Sequence, residues 1–139
     1  MRFELPAGLK LVHEMRIPVR WGDLDALGHV NNTVYLRYFE SLRVDWLMHF
    51  DAAPNPTGVG PVMANAFCNF LRQIEFPGEI VARHYVDKPG GKSLDTYFTL
   101  SMADAPDLVC ANGGATLVWL DIASKKTVAL PEALRRACA

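Results

Sequence analysis

Asn31-Asn32-Thr33-Val34-Tyr35-Leu36-Arg37-Tyr38-Phe39-Glu40-Ser41-Leu42-Arg43-Val44-Asp45-Trp46-Leu47-Met48-His49-Phe50 is the one long helical pattern in this sequence. Tyr35, Phe39, Leu42 and Trp46 recur at steps of three and four, which places their side chains on one helix face. Val34, Leu36, Tyr38, Val44 and Leu47 add apolar groups on most remaining sides, so the reading predicts a helix buried over most of its circumference. Asn31 or Asn32 is placed to cap it, because a side-chain oxygen there can accept from the first-turn amides. Such a helix needs an apolar layer around it.

The flanking sequence supplies that layer as strands. Upstream, Met15, Ile17, Val19 and Trp21 alternate with Glu14, Arg16, Pro18 and Arg20, and Pro18, which has no N–H to give, places this strand near a sheet edge. Downstream, a loop from Asp51 to Pro61 leads to a strand from Val62 to about Phe76, with Phe70, Ile74 and Phe76 expected on one face. Pro77-Gly78 reads as a reversal, Glu79 to Asp87 as the next strand, and Lys88-Pro89-Gly90-Gly91 as a second reversal. Ser93 to Met102 alternates most cleanly, and after a turn at Ala103 to Asp107 a last long strand runs from Leu108 to Asp121. Pro131 to Cys138 reads as a short terminal helix with proline in its first turn. Strands joined by short reversals pair antiparallel, which gives an α+β chain with a five-stranded antiparallel sheet around a long central helix. One sheet around one helix leaves open strand edges, and association into at least a dimer covers them.

Composition narrows the function classes. The 139 residues, 50% hydrophobic and 21% charged, fit one ordinary globular domain and leave no room for two cores. A net charge of −1, with 14 basic and 15 acidic residues scattered along the chain, offers no footprint for nucleic acid. No apolar run approaches the roughly 20 residues of a membrane helix, and Met1 to Lys10 lacks a secretory pattern, so the expected location is the cytoplasm and no membrane partner is expected. Cys68, Cys110 and Cys138 form no ligand cluster or disulfide framework, and the first two sit in strand-like apolar stretches as buried hydrophobes.

Chemistry concentrates just before the helix. Trp21-Gly22-Asp23-Leu24-Asp25-Ala26-Leu27-Gly28-His29-Val30-Asn31-Asn32 places two carboxylates, a glycine and a histidine at its start. First-turn amides have no intrahelical acceptor and the helix dipole is positive there, so a substrate carbonyl can be polarised while a carboxylate activates water or attacks directly. The same residues also serve a purely structural purpose, since Asp23 and Asp25 suit a turn, Gly28 an unusual backbone angle, and an asparagine the cap.

Asp23-x-Asp25-x-x-Gly28-His29-Val30-Asn31-Asn32-x-x-Tyr35-x-x-Tyr38-Phe39-Glu40 strongly resembles the 4-hydroxybenzoyl-CoA thioesterase-like family of hot-dog-fold acyl-CoA thioesterases, and the order of elements fits over nearly the whole chain. The resemblance implies a single hot-dog domain over residues 1–139, active sites at a homodimer interface with a homotetramer as a further step, and hydrolysis of an acyl-CoA to an acid and free CoA. It places the catalytic aspartate at Asp25, the carbonyl-binding backbone N–H near Asn32, and Asp23 in support. Trp21 and Asn32 stand where some relatives have tyrosine and histidine, so no role transfers to those side chains.

His29 is a candidate substrate contact or a turn residue. Glu40 is followed three residues later by Arg43, a spacing for a local ion pair, while another hot-dog branch uses a helical glutamate in catalysis. Lys88 and Lys92 flank the Pro89-Gly90-Gly91 reversal, and Lys92 is a candidate for CoA phosphate as well as an ordinary solvated lysine. Neither a metal nor a cofactor is implied, since CoA belongs to the substrate and two aspartates are too few for a metal site. The alternatives are an enoyl-CoA hydratase or dehydratase, which the Asp25–His29 spacing fits poorly, and a non-catalytic acyl-CoA binding protein.

Overall fold

A computed structural model describes residues 1–52 and 55–139, so Ala53 and Pro54 of the Asp51–Pro61 loop lie outside the described residues. The elements run β1 (Lys10–Pro18), a 3-10 turn (Trp21–Asp23), α1 (Asn32–Met48), β2 (Val59–Phe70), β3 (Glu79–Val86), β4 (Ser93–Met102), β5 (Val109–Asp121), β6 (Lys126–Thr127) and α2 (Glu132–Cys138). The sheet order is β1-β3-β4-β5-β2 and every pairing is antiparallel. The expected five strands are joined by a two-residue sixth, which pairs with Leu120 and Asp121 of β5 beyond the last β4 pair, Ser93–Val118. This is the hot-dog arrangement. β1 lies at one edge, as Pro18 required, and β2 at the other.

The inward sides of the strands meet α1 in two apolar clusters. Tyr35, Tyr38, Phe39 and Leu42 pack with Ile80, Ala82, Phe98 and Leu100, while Trp46 and Leu47 pack with Val86, Leu94, Leu117, Trp119 and Leu134 of α2. Between β4 and β2, Gly113 has no room for a side chain, since an added Cβ would stand 2.6 Å from the Phe98 ring.

α1 is buried over most of its circumference, with Leu36, Arg37, Ser41 and Met48 among its exposed positions. One expectation needs correction, for the second strand does not reach Phe76. Its pairing ends at Phe70, where the amides of Leu71 and Arg72 both donate to Cys110 O at 2.8 and 2.9 Å and turn the chain off the sheet. Ile74 alone of the expected trio is buried. Its N–H donates to Tyr35 Oη (3.2 Å) and its carbonyl accepts from Val30 N (3.2 Å), which draws the segment beneath the start of α1.

Candidate active site

The loop between β1 and α1 is fixed at both ends by backbone hydrogen bonds. Leu24 and Val30 form an antiparallel bridge, Asp25 N donates to His29 O (3.0 Å), Gly28 N donates to Asp25 O (3.0 Å), and Asn31 N donates to Asp23 O (2.9 Å). Gly28 turns the chain at φ +79°, a left-handed conformation in which glycine has no Cβ penalty. The loop is therefore a tight hairpin that delivers the chain to the helix start, and Asp25 sits at its first corner.

Asp25 is half-buried, with Oδ1 accepting from Leu27 N (2.9 Å) and Oδ2 from Asn31 Nδ2 (3.3 Å). Asn31 is the N-cap: its Oδ1 accepts from Thr33 N (2.9 Å) and Thr33 Oγ1 (2.6 Å). One side chain thus joins the carboxylate to the first turn of α1. Val34 N donates to Asn31 O, so Thr33 and Val34 have their acceptors, whereas Asn32 N–H has none among the described residues. A free donor beside a held carboxylate can polarise a carbonyl while the carboxylate works on the carbon.

Asp23 stands behind this pair. Its Oδ2 accepts from Arg20 N (2.9 Å) and from Tyr38 Oη (2.7 Å), which ties the loop to the second turn of α1. Burial, and then the hydrogen bond to Asp23, push the Tyr38 hydroxyl well above its ordinary pKa, so it stays a donor at all working pH. This anchor was missed in the sequence, although Tyr38 lies within the motif. A cleft of about 430 Å³ opens beside Asp25 between Trp21, Leu24 and Gly28, with Trp21 76% and Leu27 81% exposed.

The other candidates lie apart. The His29 side chain has no hydrogen-bond partner among the described residues, and its visible contribution is the backbone oxygen that holds Asp25 N. Glu40 pairs with Arg37 instead of Arg43, correcting the ion pair expected from spacing. Lys92 is not brought to Asp25 within one chain. β3 runs from Glu79, opposite Pro18, to Val86, opposite Lys10, so the Lys88–Lys92 hairpin lies at the far pole of the sheet, about 25 Å away at roughly 3.3 Å per residue. Burial pushes the Cys68 thiol up to about 12 and raises that of Cys110, which leaves neither as a ready nucleophile. Among the described residues no group of three or more His, Cys, Asp or Glu is arranged to hold a metal ion.

The model of the thioesterase-like superfamily matches residues 19–138, the loop, α1 and the sheet together. The chain belongs to that superfamily. Its thioesterase relatives include the long-chain acyl-CoA thioesterase FadM of Escherichia coli (strain K12), 29% identical over 88% of this chain and 93% of FadM. Among solved structures, the PA2801 protein of Pseudomonas aeruginosa is 33% identical with a TM-score of 0.90, covering 94% of this chain and all of that one. A 1,4-dihydroxy-2-naphthoyl-CoA thioesterase from Synechocystis shares the fold at a TM-score of 0.80 and 14% identity, over 90% of this chain and 93% of that one. Membership in the thioesterase-like superfamily makes the protein a thioester hydrolase.

Proposed function

We propose that the protein hydrolyses an acyl-CoA with Asp25 as the reacting carboxylate and the Asn32 backbone N–H as the donor to the thioester oxygen. The observation that carries this reading is the Asn31 side chain, which caps α1 with one end and holds Asp25 with the other. As the tetrahedral oxyanion develops it gains the Asn32 N–H and the positive end of the helix dipole, while Asp25 takes a proton from water or adds to the carbonyl itself. In the first route hydroxide from that water adds, the C–S bond breaks, and the proton held by Asp25 passes to the CoA sulfur as the acid is released. In the second the C–S bond breaks to leave an Asp25–acyl anhydride, CoA thiolate takes its proton from solvent, and water hydrolyses the anhydride to the acid and free Asp25. The chemistry draws on a carboxylate, water and backbone donors, with CoA entering as part of the substrate, and the chain works in the cytoplasm.

The working unit in this reading is a homodimer joined along β2, open to a further pairing into a tetramer. β2 is a twelve-residue edge strand with Val59, Val62, Met63 and Phe70 exposed, a surface that a second β2 covers while continuing the ladder. A twofold between antiparallel β2 strands turns the partner end for end. The Lys88–Lys92 hairpin of the partner subunit then lies at the same pole as this chain's Asp25, which restores a phosphate-binding role for Lys92 of the partner subunit. His29 stays a candidate contact on the loop.

The test is release of free CoA from a panel of acyl-CoAs, with an enoyl-CoA included. CoA release with no hydration of the enoyl double bond is expected. Hydration without release would establish a hydratase, and binding without either would establish a binding protein. Light scattering on the active sample should give twice the chain mass or more, and Lys92→Ala should raise KM several-fold with kcat nearly unchanged, as loss of a contact made equally in ground and transition states requires. Full activity as a monomer would remove the composite site.

A further inference from the structure

The open face of α1 carries a charge that neither catalysis nor folding uses. A cleft of about 220 Å³ runs along the helix from Thr33 to Arg43, with Phe39, Met63 and Phe98 among its apolar walls. Within it Glu40 is taken by Arg37, and Arg43 makes no hydrogen bond or ion pair among the described residues. Arg43 is half-buried, and burial pulls its pKa down, yet a guanidinium remains charged at any working pH. Its guanidinium nitrogens reach solvent at the cleft and have no acceptor among the described residues, so they are available to an anionic group of a ligand lying there.

The position of the cation says which part of the ligand that is. The cleft begins at the first turn of α1, where the thioester carbonyl is proposed to sit, and ten residues farther along, about 15 Å at 1.5 Å per residue, it reaches Arg43. An acyl chain entering from the helix start lies over Phe39, Phe98 and Met63 and ends at the guanidinium. We propose that the acyl group carries a carboxylate at its far end, paired with Arg43, so that the substrate is an ω-carboxyacyl-CoA. An extended chain gains roughly 1.3 Å per C–C bond, which sets its length at about eight to twelve carbons once the reach of the arginine is allowed for. The planar guanidinium suits a carboxylate because it can donate two parallel hydrogen bonds to it. Within the cleft the acidic side chain is Glu40, and it is taken by Arg37 of the same chain.

This inference rests on the thioesterase reading, and the experiment separates the two. The full-length protein is given acyl-CoAs in matched pairs of equal length, one ending in methyl and one in carboxylate, and free CoA is followed. At the best length the carboxylate member is expected to lead by about tenfold or more in kcat/KM, the discrimination that a site built to pair a polar group gives. Arg43→Leu and Arg43→Gln should bring the ratio of the two substrates to one or below, and Arg43→Lys, which keeps the charge without the fork, should retain part of it. Equal kcat/KM for the two ends in the wild type overturns the proposal. So does a ratio unmoved by the Arg43 substitutions, which would assign the guanidinium to a CoA phosphate or to Glu40 of the partner subunit. Absence of CoA release from every member overturns the thioesterase reading itself, and the inference with it.

Discussion

The two ends of α1 are built on opposite terms. At its C-terminal end the chain closes on itself: Trp46 and Leu47 are buried against Trp119 and Leu134, and the amides of His49, Phe50 and Ala52 return to Trp46 O or Leu47 O. α2 closes this end, fastened by Lys10 Nζ to the carbonyl oxygens of Ala137 (3.0 Å) and Ala139 (2.7 Å). At the N-terminal end Asn32 N–H has no acceptor among the described residues, Asp25 is half open to solvent and Trp21 stands outside the core. The difference teaches where each kind of energy is kept. Packing and returned amides hold the closed end, while a donor without an acceptor among the described residues and a half-open carboxylate stand where the proposed reaction would use them.

The sharpest way to break this contrast is Asp25→Asn, expected to lower kcat by about three orders of magnitude or more while leaving the denaturation midpoint in place, because the amide lacks the charged oxygen that either mechanism uses. Trp46→Ala should do the reverse. It removes a fully buried ring from the closed end and should cost about 3–5 kcal/mol in urea denaturation, with activity per folded molecule retained.

A third test uses pH. His84 lies wholly inside the sheet against Trp46, its Nδ1 without a partner, and burial, followed by the charges of Arg43 and His13, brings its pKa down to about 3. Its unfolded value is near 6.5, so below that pH the unfolded chain binds a proton that the folded chain refuses, and stability falls as pH drops from about 6.5 toward 3. His84→Leu should flatten that decline. The smallest effect is expected for Asn31→Ser, which keeps a capping oxygen but loses the amide donor to Asp25. Stability should change by about 0.5 kcal/mol or less, while kcat falls about tenfold. Equal losses in both measurements would reduce Asn31 to a cap.

Local pattern carried most of the architecture. Ser93–Met102 alternates over ten residues and forms β4 with the same bounds, and the Asp25–Asn32 stretch turns and caps as its residue types require. What escaped the sequence depends on distant partners. The end of β2 is set by Cys110 O, forty residues away, and the burial of Ile74 by the hydroxyl of Tyr35. Glu40 has an arginine three residues away on either side, and helix spacing alone cannot choose between Arg37 and Arg43. The Tyr38–Asp23 bond links residues fifteen apart in the chain across a loop, which no periodicity reports.

The two edges of the sheet bear on how far the proposed assembly would go. β2 offers an exposed apolar edge, whereas β1 presents the exposed side chains of Glu14, Arg16 and Pro18 along the other. A β2–β2 contact is self-complementary, so forming it consumes the adhesive edge of both chains at once and leaves two charged, proline-bearing edges outward. Had the chain paired β2 against β1, each addition would have exposed a fresh β2 and the sheet would have grown into a filament. In the proposed β2–β2 dimer, strand pairing would stop at two copies, and the tetramer would be built through faces of the sheet.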